Sequence, residues 1–167
     1  EAIVLLNTKS KQVIRLKIVS SRNIFTQRLN KSTKILKADN FIELLGFVED
    51  KKLNDLYKKS VAFVFPSLSE GFGLPGIEAI RAGTLLAASD IPVFKEIYND
   101  HAIYFDPHDI SSITNSLEKV LNISKEERNK RINSGQDFVK RYSWSKMAQQ
   151  TLEIYEKTFK EESSDSI

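Results

Sequence analysis

Two short runs, Val61–Phe65 (VAFVF) and Thr84–Ser89 (TLLAAS), carry no polar alternation. A strand buried on both faces reads this way, and such strands belong to parallel sheets covered by helices on each side. Three further segments read as strands: Ile14–Ser20, which alternates apolar and basic residues and so has one face less buried, Phe41–Gly46, and Ala102–Phe105. Helical signals fill the intervals. Glu1 to Asn7 reads as the end of a helix, and Ile24 to Lys37 as a basic amphipathic helix with Phe25, Leu29 and Leu36 near helical spacing. Asp50 is placed to cap a helix over 51–58, and Pro75 and Pro92 suit first turns of helices ending near Ala82 and Tyr98. Asp109 caps a helix to about Leu121, Ser124 opens another through a capping box with Glu127, and Ser143 starts a last helix to about Lys160. Strands alternate with helices throughout, which predicts an α/β fold with a doubly wound parallel sheet.

At 167 residues the chain is long enough for one domain with a proper core, and we assign residues 1–160 to it, followed by a polar tail, 161–167. With no Cys, a disulfide scaffold, a Cys-ligated zinc, an iron–sulfur centre and a thiol nucleophile are all excluded. His101 and His108 do not form a metal-ligand spacing, and no apolar run reaches the ~18 residues of a membrane span. The chain starts at Glu1 rather than an initiator Met, so it is expected to begin inside a longer reading frame. Charge is uneven: residues 2–38 hold nine basic side chains and no acid, although the whole chain carries only +3. A basic third of this kind could face a phosphate ligand or an anionic membrane, or be a solvated Lys-rich surface. No aromatic-interleaved basic strand or helix-turn-helix spacing accompanies it, so nucleic acid is not an expected partner.

The densest chemistry lies in PSLSEGFGLPGIE, Pro66 to Glu78, between a buried strand and a helix. That position is the carboxyl edge of the sheet, where open α/β folds bind ligands. Gly71 and Gly73 allow close backbone approach and positive φ. The amides around Gly73 and Leu74, with the positive end of the following helix, make an anion site. Glu70 and Glu78 offer carboxylates that each accept two hydroxyls, a pairing suited to a sugar with vicinal hydroxyls. The bland alternative is a glycine turn flanked by helix-capping carboxylates. A second alternative is a dinucleotide fingerprint, since Gly71-x-Gly73-x-x-Gly76 is formally G-x-G-x-x-G and Asp90 follows at the end of the next strand. Against it, Pro66 to Glu70 separate the glycines from the strand, Glu70 would sit beside the pyrophosphate, and Pro75 removes a donating amide.

EGFGLPGIE resembles the signature of retaining GT-B glycosyltransferases of family 4, the glycogen-synthase-like group. Gly46-Phe47-Val48, the stretches Ala82–Thr84 and Ala88–Asp90, Tyr104–Pro107 and the Arg141–Trp144 run resemble other stretches of that family, so the likeness covers about Glu1 to Phe159. It implies the C-terminal, Rossmann-like half of a two-domain enzyme, the half that binds a nucleotide-diphosphate sugar. By the same resemblance, Glu70 would be catalytic, bonding donor-sugar hydroxyls near the reacting carbon. Gly71 and the amides of Phe72, Gly73 and Leu74 would hold sugar and diphosphate, Glu78 the ribose hydroxyls, and Phe47 and Val48 the nucleobase. The donor would be a UDP-, GDP- or ADP-sugar, and the acceptor a glycan or lipid-linked glycan in bacterial surface polysaccharide synthesis. No metal or other cofactor would be needed, and the enzyme would be cytoplasmic, with peripheral membrane association left open. An NAD-dependent dehydrogenase domain and a non-catalytic nucleotide-binding module are the competing readings.

The resemblance also sets expectations for shape. Gly76 stands where the family commonly has an apolar residue, and Leu85 where it has Pro. The basic pair that neutralises the diphosphate would lie upstream of Glu1, with Arg22 a weak substitute. On the last helix, Trp144 and Met147 should pack on this domain, leaving Tyr155 and Phe159 more exposed. The family sheet has six strands in the order 3-2-1-4-5-6 and five are found here, so the first, central strand is expected to be missing. We expect the resulting slot to close or be filled, because unpaired buried backbone is costly.

Overall fold

The computed structural model describes residues 1–20 and 24–164. Arg22 lies outside the described residues. In chain order the elements are α1 (Ala2–Lys9), β1 (Leu16–Val19), α2 (Ile24–Ile35), β2 (Ile42–Gly46), α3 (Asp50–Lys59), β3 (Ala62–Phe65), α4 (Leu74–Arg81), β4 (Leu85–Ser89), α5 (Pro92–Tyr98), a 3-10 turn (Asn99–His101), β5 (Ala102–Phe105), α6 (Ile110–Asn122), α7 (Lys125–Val139) and α8 (Trp144–Ser164). All strand pairings are parallel, β1 with β2, β3 with β4 and β4 with β5, so the α/β reading holds.

β4 organises the core. All five of its residues are buried, and their side chains point alternately to its two faces. Leu86 and Ala88 join a cluster with Ile77, Ile80, Phe94, Ile97, Tyr98 and Val139, from α4, α5 and α7. Leu85 and Ala87 join the opposite cluster with Leu6, Phe105, Leu117 and Val120, supplied by α1, β5 and α6. Helices therefore cover both faces, as a doubly wound sheet requires. β3 departs from the expectation of full burial: its four residues are only half-buried, because β3 pairs on one side alone.

The sheet is in two parts, β1-β2 and β3-β4-β5. The slot between them does not close, and residues 1–13 form α1 and coil rather than a strand that could fill it. Local contacts fix the entry to β1. Leu6 is buried against the α6 side of the core, which docks α1. Asn7 then clamps the incoming chain, its Oδ1 accepting from the Ile14 N–H at 2.8 Å and its Nδ2 donating to the Ile14 carbonyl at 3.0 Å. β1 follows this clamp and, among the described residues, pairs only with β2.

Capping chemistry sets most helix starts. Asp109 accepts from the Ser111 N–H at 2.8 Å, and Ser124 from the Glu127 N–H at 3.2 Å. Asp50 differs from its expected role: it occupies the first turn of α3 while Glu49 holds the cap position without a side-chain bond. Its charge there still favours the helix through the macrodipole. α2 stops at Ile35, short of Lys37, which adopts φ 53° in the turn that follows. α8 contradicts two expectations. Trp144 and Met147 are 68% and 52% exposed rather than packed on the domain, because the whole helix over 144–160 presents its side chains to solvent. Tyr155 and Phe159 are exposed, as expected. The helix also runs to Ser164, into the segment read as a polar tail.

Candidate functional site

The parallel register puts the carboxyl ends of β3, β4 and β5 along one edge, and the 66–73 loop rises from that edge into α4. Gly73 caps α4 with φ 95° and ψ 43°, a left-handed conformation that favours glycine. Pro75 is in the first turn, and no side chain caps the helix. Pro75 has no N–H and the Gly76 N–H donates to the Gly73 carbonyl at 3.1 Å, so the Leu74 N–H is the first-turn donor left to a ligand or water, at the positive end of the helix. Gly71 is exposed, and a Cβ built on it meets nothing within 4 Å, so a ligand can approach its backbone closely.

Three contacts fix the loop. Ser67 Oγ donates to Glu70 Oε1 at 2.8 Å, which sets the direction of that carboxylate. Phe72, partly exposed, meets Tyr142 edge to face with ring centroids 5.5 Å apart. Tyr142 is itself anchored, its hydroxyl donating to the Ile97 carbonyl at 3.0 Å while Arg81 donates to its carbonyl at 2.8 Å. Tyr98 is fully buried and donates to the Gly73 carbonyl at 2.5 Å. Burial pushes the Tyr98 phenol well above its ordinary range, and the nearby Glu70 charge adds to that.

The expected site residues fall into two groups. Glu70, Gly71, Phe72, Gly73, Leu74 and Glu78 share one loop and the helix it opens. Glu78 is exposed on α4 and faces Tyr57 of α3, whose phenol burial, helped by the Glu78 charge, pushes up to about 12. Phe47 and Val48 follow β2, on the other sheet; Phe47 is 78% exposed, whereas Val48 is buried. Ser67, Tyr98 and Tyr142 were given no role from the sequence. Ser67 lay inside the motif, but the tyrosines reach the loop only through the fold. A cleft of about 630 Å³ between α2 and β2, lined by residues including Asn30, Thr33 and Glu43, shares no residue with the loop.

Asp90, which the dinucleotide alternative would set on a ribose, forms an exposed ion pair with Lys95 at 2.7 Å.

Residues 1–138 match the family model described as "Glycosyl transferases group 1". The chain belongs to this glycosyltransferase family. It is 33% identical over 132 residues to the O-antigen chain mannosyltransferase RfbU of Salmonella typhimurium, covering 79% of this chain and 36% of that protein. It is 30% identical over 119 residues to O-antigen chain mannosyltransferase B of Escherichia coli, covering 70% of this chain and 30% of the relative. The chain thus spans about a third of the length of these curated relatives. In fold it is similar to sucrose-phosphate synthase of Thermosynechococcus elongatus, with a TM-score of 0.83 at 20% identity, over 95% of this chain and 41% of the synthase. It is likewise similar to Anabaena Alr3699/HepE, solved with UDP and glucose, with a TM-score of 0.81 at 15% identity over 93% and 44% of the two chains. These likenesses agree with a Rossmann-like half of the GT-B fold. Among the described residues no helix is long and apolar enough to cross a membrane.

Proposed function

We propose that this chain is the donor-binding half of a retaining hexosyltransferase, which moves a sugar from a nucleotide-diphosphate donor to a glycan or lipid-linked acceptor. The observation that carries the reading is the uncapped start of α4, with Gly73 in left-handed geometry and Glu70 held beside it by Ser67. Backbone donors there suit the diphosphate, and a carboxylate fixed next to them suits the sugar hydroxyls. In this reading Glu78, exposed one turn into α4, would bond the ribose hydroxyls, and exposed Phe47 would meet the base. Mannose is the favoured sugar and surface polysaccharide synthesis the favoured setting, since two relatives are named as O-antigen chain mannosyltransferases. Retention would follow from front-face substitution, with the loop stabilising charge on the departing diphosphate and no metal taking part.

Kinetics of the protein that carries this chain test the reading. Glu70→Ala should lower turnover about tenfold or more with little change in donor affinity, because its contact strengthens as the sugar carbon develops charge. Glu78→Ala should weaken donor binding by roughly tenfold with turnover nearly kept, the cost of one charge-assisted hydrogen bond. EDTA should leave both parameters unchanged. Full activity of Glu70→Ala would instead favour a non-catalytic nucleotide-binding module.

A further inference from the structure

The geometry points to Tyr98 as a positioning residue for the 70–78 loop: its buried hydroxyl holds the Gly73 carbonyl inward and so turns the Leu74 N–H outward. This rests on reading the loop as the donor site. A trans peptide is planar, and its C=O and N–H point in opposite directions. The Gly73 carbonyl is directed at the Tyr98 phenol in the core, where it also accepts from the Gly76 N–H at 3.1 Å. The N–H across the same peptide bond, that of Leu74, therefore faces away from the core. Leu74 is itself exposed.

The phenol and two glycines fit one another. A Cβ on Gly73 would lie 2.2 Å from the Tyr98 hydroxyl oxygen, and one on Gly76 would lie 2.4 Å from both that oxygen and the ring carbon bearing it. Neither position accepts a side chain without expelling the phenol, so Gly76 makes room for Tyr98 and Tyr98 orients Gly73. The tyrosine sits on a rigid base. Phe94 of the same helix is fully buried 5.1 Å from it, ring to ring, and the Tyr104 hydroxyl braces the end of that helix, its one proton shared between the Asn99 carbonyl at 2.7 Å and the Phe94 carbonyl at 3.0 Å. A buried hydroxyl is costly unless bonded, and this one is satisfied by the loop carbonyl.

Tyr98→Phe keeps the ring and removes the donor. Amide hydrogen exchange on the 167-residue chain should show Gly76 exchanging about tenfold faster in the variant, with the β4 amides unchanged. Gly76→Ala, which keeps the hydroxyl but drives a methyl into it, should reproduce that local loosening. In calorimetry of the protein that carries this chain, with UDP, GDP and ADP, whichever nucleotide binds the wild type should bind Tyr98→Phe roughly tenfold more weakly, beyond any change in melting temperature. Unchanged exchange at Gly76, or equal acceleration at Gly76 and in β4, would overturn the proposal. If no nucleoside diphosphate binds the wild type, the donor-site reading fails, while the exchange result still decides whether Tyr98 holds the loop.

Discussion

Glu78 is exposed on α4, yet its charge adds to the burial that keeps the Tyr57 phenol protonated up to about pH 12. Tyr104 is held at about 12 as well, burial leading and Asp100 and Asp90 adding to it. An unfolded tyrosine loses its proton near pH 10. Both groups are neutral below that point, so their contribution to stability is complete there. Between about pH 10 and 12 the unfolded chain ionises first, and stability falls as pH rises. The urea midpoint should therefore drop from pH 9 to pH 11, and Tyr57→Phe should make the drop smaller; an equal drop in both proteins would contradict the assignment. At this scale the sequence is legible where chemistry is local. Gly73, Pro75 and the two glutamates announce a turn entering a helix because each residue's preference acts on its own backbone. Tyr98 announces nothing, since its partner is 25 residues away and only the packing of α5 on α4 brings them together.

Element starts are legible for the same reason. Asp109 and Ser124 bond amides two and three residues on, and both caps form where their side chains predict. What covers an element is not legible. The apolar stripe of α8, from Trp144 and Met147 to Tyr155 and Phe159, fixes a face of the helix without naming the surface it meets. The expectation that Trp144 and Met147 pack inward fails on that ambiguity. Because α8 over 144–160 is exposed throughout, its removal takes little apolar area from the core. A chain ending at Ser143 should melt within about 4 °C of the full chain, a change of about 1 kcal/mol or less at this size. A fall several times larger in differential scanning calorimetry would show that α8 is part of the folded unit.

Over the whole molecule, the alternation of strands and helices is readable, whereas strand pairing is not. The run Val61–Phe65 has the composition of a strand buried on both faces, yet β3 is paired on one side and only half-buried. Composition reports how much burial a strand suits, and pairing depends on segments far away in the chain. The sheet divides into β1-β2 and β3-β4-β5, and the chain enters β1 through the docked α1 and the Asn7 clamp, neither visible as a local pattern. The loop between β3 and α4 is unaffected, because it depends on the fully buried β4 and the cluster around Phe94 and Tyr98. The most direct test of the donor-site assignment is a titration of the isotopically labelled chain with UDP-, GDP- and ADP-sugars and with NAD, followed through backbone amide chemical shifts. One nucleotide sugar should shift the amides from Glu70 to Glu78 saturably. Saturable shifts with NAD alone, or shifts confined to the cleft around Asn30 and Glu43, would contradict it.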